Sequence, residues 1–139
     1  MQNLFISPDD EFAVKFSVAI DKEGTIFCDL ERKSLISSLE AMGREITDFT
    51  LEDYTATFKK PSFGDTIEMY GNIFNMNEDS EVSFSPLMAR YNKIVALIKS
   101  WDLKGKEEKP TEEDIRQLHP VIAGAIGIVI DLETGGVLS

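Results

Sequence analysis

The feature that most constrains the fold of this chain is an alternation of large apolar residues with polar or small ones near the N-terminus. The apolar members occupy five consecutive even positions, Phe12, Val14, Phe16, Val18 and Ile20. Because successive side chains of a strand point to opposite faces, this pattern predicts a β-strand with one buried face. A tight turn containing Gly24 follows, and the alternation then resumes at Ile26, Cys28 and Leu30, which predicts a hairpin.

Two further elements are predicted before the middle of the chain. Helix-spaced apolar residues over 32–42, followed by Gly43 at the position of a left-handed C-terminal cap, predict a short helix that covers the hairpin. The phase of the apolar residues changes between Leu51 and Tyr54. A strand over residues 53–60 is therefore predicted to begin after a bulge or turn near Glu52.

The next predicted element is a helix that begins with a capping box. Ser62 is the capping residue, and Asp65, three residues later, reaches back to its backbone N–H. The inner stripe of this helix is predicted to consist of Phe63, Ile67, Tyr70 and Phe74.

Residues 83–131 have the pattern of consecutive helices. Ser85 and Pro86 are a typical N-cap and first helical residue. The apolar residues that follow are spaced by four, three, four and three, as in Leu87, Tyr91, Ile94, Ile98 and Trp101. This spacing predicts one amphipathic helix as far as Trp101.

Two segments complete the chain. Thr111 is predicted to cap a short helix whose first turn carries three carboxylates, and His119 ends that helix because the next residue is proline. An apolar run over residues 121–130 follows. Its two glycines lower helix propensity, so a helix and a strand over 127–132 both remain open.

Together these elements predict an α+β fold. An N-terminal β-hairpin or small antiparallel sheet with a covering helix precedes a predominantly helical C-terminal half. A chain of 139 residues without a Pro-, Ser- or Gly-rich linker fits a single domain over residues 1–139. Two subdomains, an α+β part over 1–60 and a helical part over 61–139, are the alternative.

The charge of the chain limits its partners. It has 25 acidic and 14 basic residues, a net charge of −11. Nucleic acid is therefore not an expected partner, because its binding depends on Lys and Arg neutralising phosphates. The same field attracts a basic protein and speeds their encounter, although an acidic surface also serves solubility alone.

The cysteine content and the lengths of the apolar runs indicate the cellular compartment. Cys28 is the only cysteine, so nothing indicates an oxidising environment. There is no basic flank followed by an apolar segment at the N-terminus, as a secretory signal would require. The longest apolar run has about half the length that spans a bilayer. We therefore expect a cytoplasmic protein without a membrane partner.

The residues that most often carry chemistry are sparse and separated. A buried Cys28 and a helix-end His119, the only histidine, are favoured over a Cys–His nucleophilic pair. The acidic clusters at 9–11, 78–81 and 112–114 lack the spacing of a calcium loop, and no glycine-rich phosphate loop is present. The sequence thus predicts no catalytic residue, no metal site and no cofactor.

Three residues are candidates for contact with a partner. Trp101 is the residue type most enriched at binding hot spots. Ile126 and Ile130 belong to the run over 121–130, which is apolar on all sides and exceeds what one buried helix face needs. The alternative for all three is a place in the core of this chain.

The order of segments in the C-terminal half also resembles a known family. The chain has Ile98-x-x-Trp101-Asp102-Leu103, a charged loop closing on Lys109-Pro-Thr-Glu-Glu-Asp-Ile115, then Leu118-His119-Pro120 and a last apolar segment. This succession, preceded by the segment from Tyr54 to Asp65, resembles tail assembly chaperones of long-tailed bacteriophages. None of these residues is chemically diagnostic, so the resemblance is one of organisation.

The resemblance implies a non-enzymatic role in tail assembly. Such proteins bind the tape measure protein, keep it soluble and recruit tail tube subunits, and they are absent from the finished particle. The implied location is the cytoplasm of the infected bacterial host, and self-association is a further expectation.

Two other classes stay open. One is a structural virion component, either a head–tail connector or a capsid-decorating protein. The other is a small enzyme whose pocket would gather His119 or Cys28 with carboxylates.

Overall fold

The computed structural model describes residues 4–71, 74–76, 82–84 and 86–134. Its main sheet has four antiparallel strands in the order β2-β1-β3-β6. These strands are β1 (Glu11–Ile20), β2 (Ile26–Asp29), β3 (Thr50–Lys59) and β6 (Ile98–Trp101). The helices are α1 (Arg32–Ala41), α2 (Phe63–Gly71), α3 (Pro86–Leu97), α4 (Glu112–Arg116) and α5 (Pro120–Glu133). A small antiparallel pair, β4 (Phe74–Met76) and β5 (Val82–Phe84), completes the α+β fold, and the predicted fold class is confirmed.

The predicted hairpin and covering helix are present. Gly24 has a φ of +84° in the turn between β1 and β2, a conformation that glycine adopts without strain. Residues Ser17 to Ile20 of β1 pair with the whole of β2. Helix α1 ends at Ala41, and Gly43 follows with a φ of +78° as the predicted left-handed residue.

The second face of β1 is also covered at the C-terminal end of the strand, which corrects the expectation of one buried face. Ala19 and Ser17 are as buried as the even-numbered residues of β1, since Leu35 and Leu39 of α1 pack over that side. The opposite face carries the large core, which β1, β3 and β6 share with α3, α4 and α5. Its largest fully buried members are Phe16, Phe58, Ile94, Leu97, Ile126 and Ile130.

The two covered faces also explain why no bulge is needed near Glu52. Strand β3 pairs with β1 without interruption from Glu11 opposite Lys59 to Ile20 opposite Thr50. Leu51 packs with the α1 cluster, whereas Tyr54 packs with the large core on the other face. The change of phase that predicted an irregularity is therefore a change of face within one regular strand.

The predicted helix up to Trp101 is wrong at its end. Helix α3 stops at Leu97, and Ile98–Trp101 form β6, which pairs with β3 at the edge of the sheet. One extra residue of β6 lies between the partners of Phe58 and Thr57, so Ile98 and Trp101 both reach the core although they are three positions apart. The bulge therefore gives the apolar residues of this strand a spacing that resembles that of a helix.

The predicted capping box at Thr111 is confirmed, whereas α4 ends at Arg116 and not at His119, and the predicted cap Ser85 lies outside the described residues. Thr111 Oγ1 accepts from the backbone N–H of Asp114, and Asp114 Oδ2 accepts from that of Thr111. His119 begins α5 by accepting the N–H of Val121 at Nδ1, 3.2 Å away. Residues 121–130 are helical throughout, so the alternative strand over 127–132 is wrong.

Helix α2 matches its prediction only in part. The Ser62–Asp65 capping box is present in both directions. Phe63 and Ile67, predicted as inner residues, are exposed instead, and Phe74 belongs to β4. The side chain of Tyr70 lies outside the described part of the chain. Within that part, no helix has both the length and the apolar character that crossing a membrane requires.

Candidate partner-binding surfaces

The three residues predicted to contact a partner all lie in the large core. Trp101 is 3% exposed, Ile130 is 1% exposed and Ile126 is fully buried. In this fold they are core residues with almost no accessible surface, which favours the core alternative over their predicted role as contact residues. The reason is geometric, because Ile126 and Ile130 are four residues apart and share the face of α5 that packs on the sheet.

The opposite side of α5 is apolar as well. Val121 is 41% exposed, Ile128 53% and Leu132 74%. Their spacings of seven and four place them on one stripe, directly opposite Ile126 and Ile130. Gly124 lies on the same side with open space where a side chain would be. We call Val121, Gly124, Ile128 and Leu132 the outer α5 face.

Helix α3 lies along one edge of this face. Lys93 of α3 forms an ion pair with Asp131 of α5 at 3.0 Å. One turn earlier, Arg90 crosses α5 at Gly127, where an added Cβ would come within 2.5 Å of Arg90 Nε. The glycine therefore permits the close packing of the arginine on α5. Among the described residues, the Arg90 guanidinium has no hydrogen-bond or ion-pair partner.

A second exposed apolar area lies on α2 and the start of α3, which pack together. Phe63 is 82% exposed, and Ile67, Leu87 and Met88 are also largely accessible. Extended exposed apolar areas mark interaction sites. The sequence pattern predicted Phe63 and Ile67 as buried, so it did not reveal this surface.

A pocket of about 390 Å³ opens where α4 and α5 meet the sheet. We call it the sheet-end pocket. The sheet contributes Val18, Ile20, Ile26, Tyr54 and Trp101 to its wall, and the other side is formed by Leu103, Lys104, Asp114, Gln117, Leu118, His119 and Ile122. Most of this lining is apolar, and the polar groups are gathered on the side of α4 and the loop before it.

The polar groups of the pocket are largely engaged with one another. Lys104 Nζ lies 2.8 Å from Asp114 Oδ1, and together with the Thr111 cap this ion pair lowers the pKa of Asp114 to about 2. Tyr54 donates a hydrogen bond to Glu52, which raises the pKa of its phenol to about 12, so the hydroxyl stays protonated at neutral pH. The Trp101 Nε1–H is buried, with no acceptor among the described residues.

No protein-family model, curated protein or solved structure matches the chain. Function must therefore be argued from the surfaces themselves.

The structure does not bring Cys28 and His119 together as a nucleophilic pair. His119 lines the sheet-end pocket, but Cys28 is not part of its lining. Burial raises the pKa of the Cys28 thiol to about 11, which leaves little thiolate at neutral pH to act as a nucleophile. Within the described ranges, no group of His, Cys, Asp and Glu has a metal-binding arrangement. The acidic cluster at 78–81 lies outside those ranges.

Proposed function

We propose that this protein is a tail assembly chaperone of a long-tailed bacteriophage, acting by binding and without chemistry. The observation that carries the proposal is the outer α5 face, where an apolar stripe occupies the side of a helix that is normally polar. A chaperone of this kind needs exposed apolar surface, because its client's apolar surface would otherwise aggregate.

The mechanism is masking of a helical client. An apolar stripe with residues spaced by three, four and seven is the surface that an amphipathic helix uses to dock on another helix. Gly124 adds room for a close approach of the client backbone, since nothing occupies the space above it. The net charge of −11 keeps the complex in solution. Under this proposal the client is the tape measure protein, and tail tube subunits join the complex later.

Co-expression with the tape measure protein of the same phage tests the proposal. The double variant Ile128→Asp/Leu132→Asp changes two exposed residues of the outer α5 face and should leave the client insoluble. Met42→Asp is a control, because Met42 is a similarly exposed apolar residue at the end of α1, which packs on the other face of the sheet from α5. Client solubility and pull-down measure the outcome. Full protection of the client by the double variant would refute the role of this face.

A separate observation distinguishes this proposal from a structural virion component. A chaperone leaves the assembly before the particle is complete. Purified particles should therefore lack the protein when examined by mass spectrometry. A stoichiometric amount in the particles would instead favour a connector or decorating protein.

A further inference from the structure

We propose that the sheet-end pocket binds one bulky apolar side chain of a partner polypeptide, together with the peptide group next to it. The site is separate from the outer α5 face and does not depend on the chaperone proposal. Three properties of the pocket define the occupant: its size, its charge and its hydrogen-bonding groups.

The size and lining of the pocket fit a single side chain. A volume of about 390 Å³ lies at the lower end of the range of about 300–1,000 Å³ found for small-ligand sites. The inner wall is apolar, with Val18, Ile20 and Ile26 from the sheet, Leu118 from the turn between α4 and α5, and Ile122 from α5. Burial of an aromatic or branched aliphatic group there removes apolar surface of both partners from water.

The charge of the pocket argues against an anionic small molecule. Among the described residues that line it, the only cation is Lys104, which lies between Asp114 at 2.8 Å and Glu108 at 3.9 Å. A phosphate or carboxylate ligand would have to compete with these carboxylates for the ammonium group. A neutral occupant such as a peptide group does not have to compete with these carboxylates for the ammonium group.

The hydrogen-bonding groups at the rim complement a peptide group. Gln117 Nε2 donates to Glu113 at 3.0 Å, which leaves Gln117 Oε1 as an acceptor. His119 accepts through Nδ1, so its neutral ring carries the proton on Nε2 as a donor. One acceptor and one donor are what a backbone N–H and C=O require.

Trp101 lies in the wall of the pocket, so its indole ring reports on occupation. Its Nε1 is buried, and the residue therefore contributes apolar wall to the site rather than a hydrogen-bond donor. It is the only tryptophan, so a ¹⁵N-labelled sample gives a single indole resonance. A change in that resonance reports occupation of this pocket.

The test is a titration of labelled protein with N-acetylphenylalaninamide, which carries an aromatic side chain between two amides. We expect a saturable shift of the Trp101 indole resonance. N-acetylalaninamide has the same amides without the large side chain, and 3-phenylpropionate has the ring with a negative charge. Both should bind at least about fivefold more weakly than N-acetylphenylalaninamide, which corresponds to the loss of about one neutral interaction.

Two variants locate the binding. Ile26→Phe fills the pocket and should abolish the shift, whereas the same substitution at Ile128, on the outer α5 face, should leave it unchanged. Gln117→Leu removes the acceptor at the rim and should weaken binding by about fivefold. An unmoved indole resonance, an equal response to N-acetylalaninamide, or tighter binding of 3-phenylpropionate would each overturn the proposal. So would unchanged binding to a folded Ile26→Phe variant.

Discussion

At the scale of single residues, the second layer of the fold changes what individual positions contribute. Ser17 occupies a position that the alternation of β1 assigns to solvent, yet it is buried under α1 and donates a 2.7 Å hydrogen bond to Asp53. Arg32 of α1 pairs with the same carboxylate at 3.0 Å. The hydrogen bond from Ser17 and the pairing with Arg32 both lower the pKa of Asp53. A serine that looks neutral in the sequence thus joins the sheet to its covering helix.

Substitutions in β1 should separate the two faces of the sheet. Phe16 is almost fully buried and lies 5.9 Å from the Tyr54 ring, so Phe16→Ala should lower the free energy of unfolding by about 3–5 kcal/mol. Ser17→Ala should cost about 1 kcal/mol through the lost hydrogen bond. The exposed Ser37 of α1 is the control, with an expected change within about 0.5 kcal/mol for Ser37→Ala. Urea titrations measure all three. Equal effects at Phe16 and Ser37 would contradict the assigned core.

The glycines of α5 provide a second residue-scale prediction. Alanine is a better helix former than glycine by about 1 kcal/mol, and nothing surrounds the position of a Cβ on Gly124. Gly124→Ala should therefore stabilise the protein by about 0.5–1 kcal/mol. Gly127→Ala should gain less, because its Cβ would meet Arg90 at 2.5 Å and displace that side chain.

The double variant Gly127→Ala/Arg90→Ala isolates the steric cause. Relative to Arg90→Ala alone, it should recover the gain seen at Gly124, as measured by the thermal midpoint. Equal stabilisation by the two single glycine variants would show that Arg90 does not depend on Gly127 for its packing.

At the scale of elements, the caps that begin helices are easier to predict from the sequence than whether a segment is a helix or a strand. The capping boxes at Ser62 and Thr111 involve groups three residues apart, so the sequence alone contains all the information. The type of the segment over 98–101 depends on β3, which lies some 40 residues earlier and supplies the hydrogen bonds of the sheet edge. Pairing with a distant strand of this kind outweighs a local helical spacing of apolar residues. The bulge in β6 also gave the strand an apolar spacing typical of a helix.

The α4 cap should make stability depend on pH. The Lys104 ammonium and the Thr111 cap hold the pKa of Asp114 near 2, below the unfolded value of about 3.9. A depressed carboxyl pKa stabilises the fold above the unfolded value, and this contribution is lost as the pH falls through the folded value. The stability advantage of the wild type over Asp114→Asn should therefore be complete at neutral pH and shrink between about pH 4 and pH 2.

Denaturant midpoints measured for both proteins across this range provide the test. Asp9→Asn, at an exposed position near the N-terminus, should leave the midpoint unchanged at pH 7. A constant difference between wild type and Asp114→Asn from pH 7 to pH 2 would show that ionised Asp114 does not stabilise α4.

At the scale of the whole molecule, the sequence predicted the α+β class but not which apolar residues remain outside. The alternation of β1 and the run over 121–130 both signal burial, and both elements do enter the core. Periodicity cannot show that α5 is covered on one side only, since its outer face is as apolar as its inner one. The sheet-end pocket joins residues from four strands and two helices, so it has no signature in any local segment.

The two faces of α5 should respond oppositely to the same substitution. Ile130→Asp places an unpaired charge in the core and should abolish folding. Leu132→Asp changes a residue that is 74% exposed, so the protein should keep its circular dichroism spectrum and its thermal midpoint within a few degrees. If the outer α5 face also supports self-association, Leu132→Asp should shift sedimentation towards the monomer, whereas Met42→Asp should not. Unfolding of both α5 variants would mean that the outer face is covered within the chain, and the docking surface on which the chaperone proposal rests would be lost.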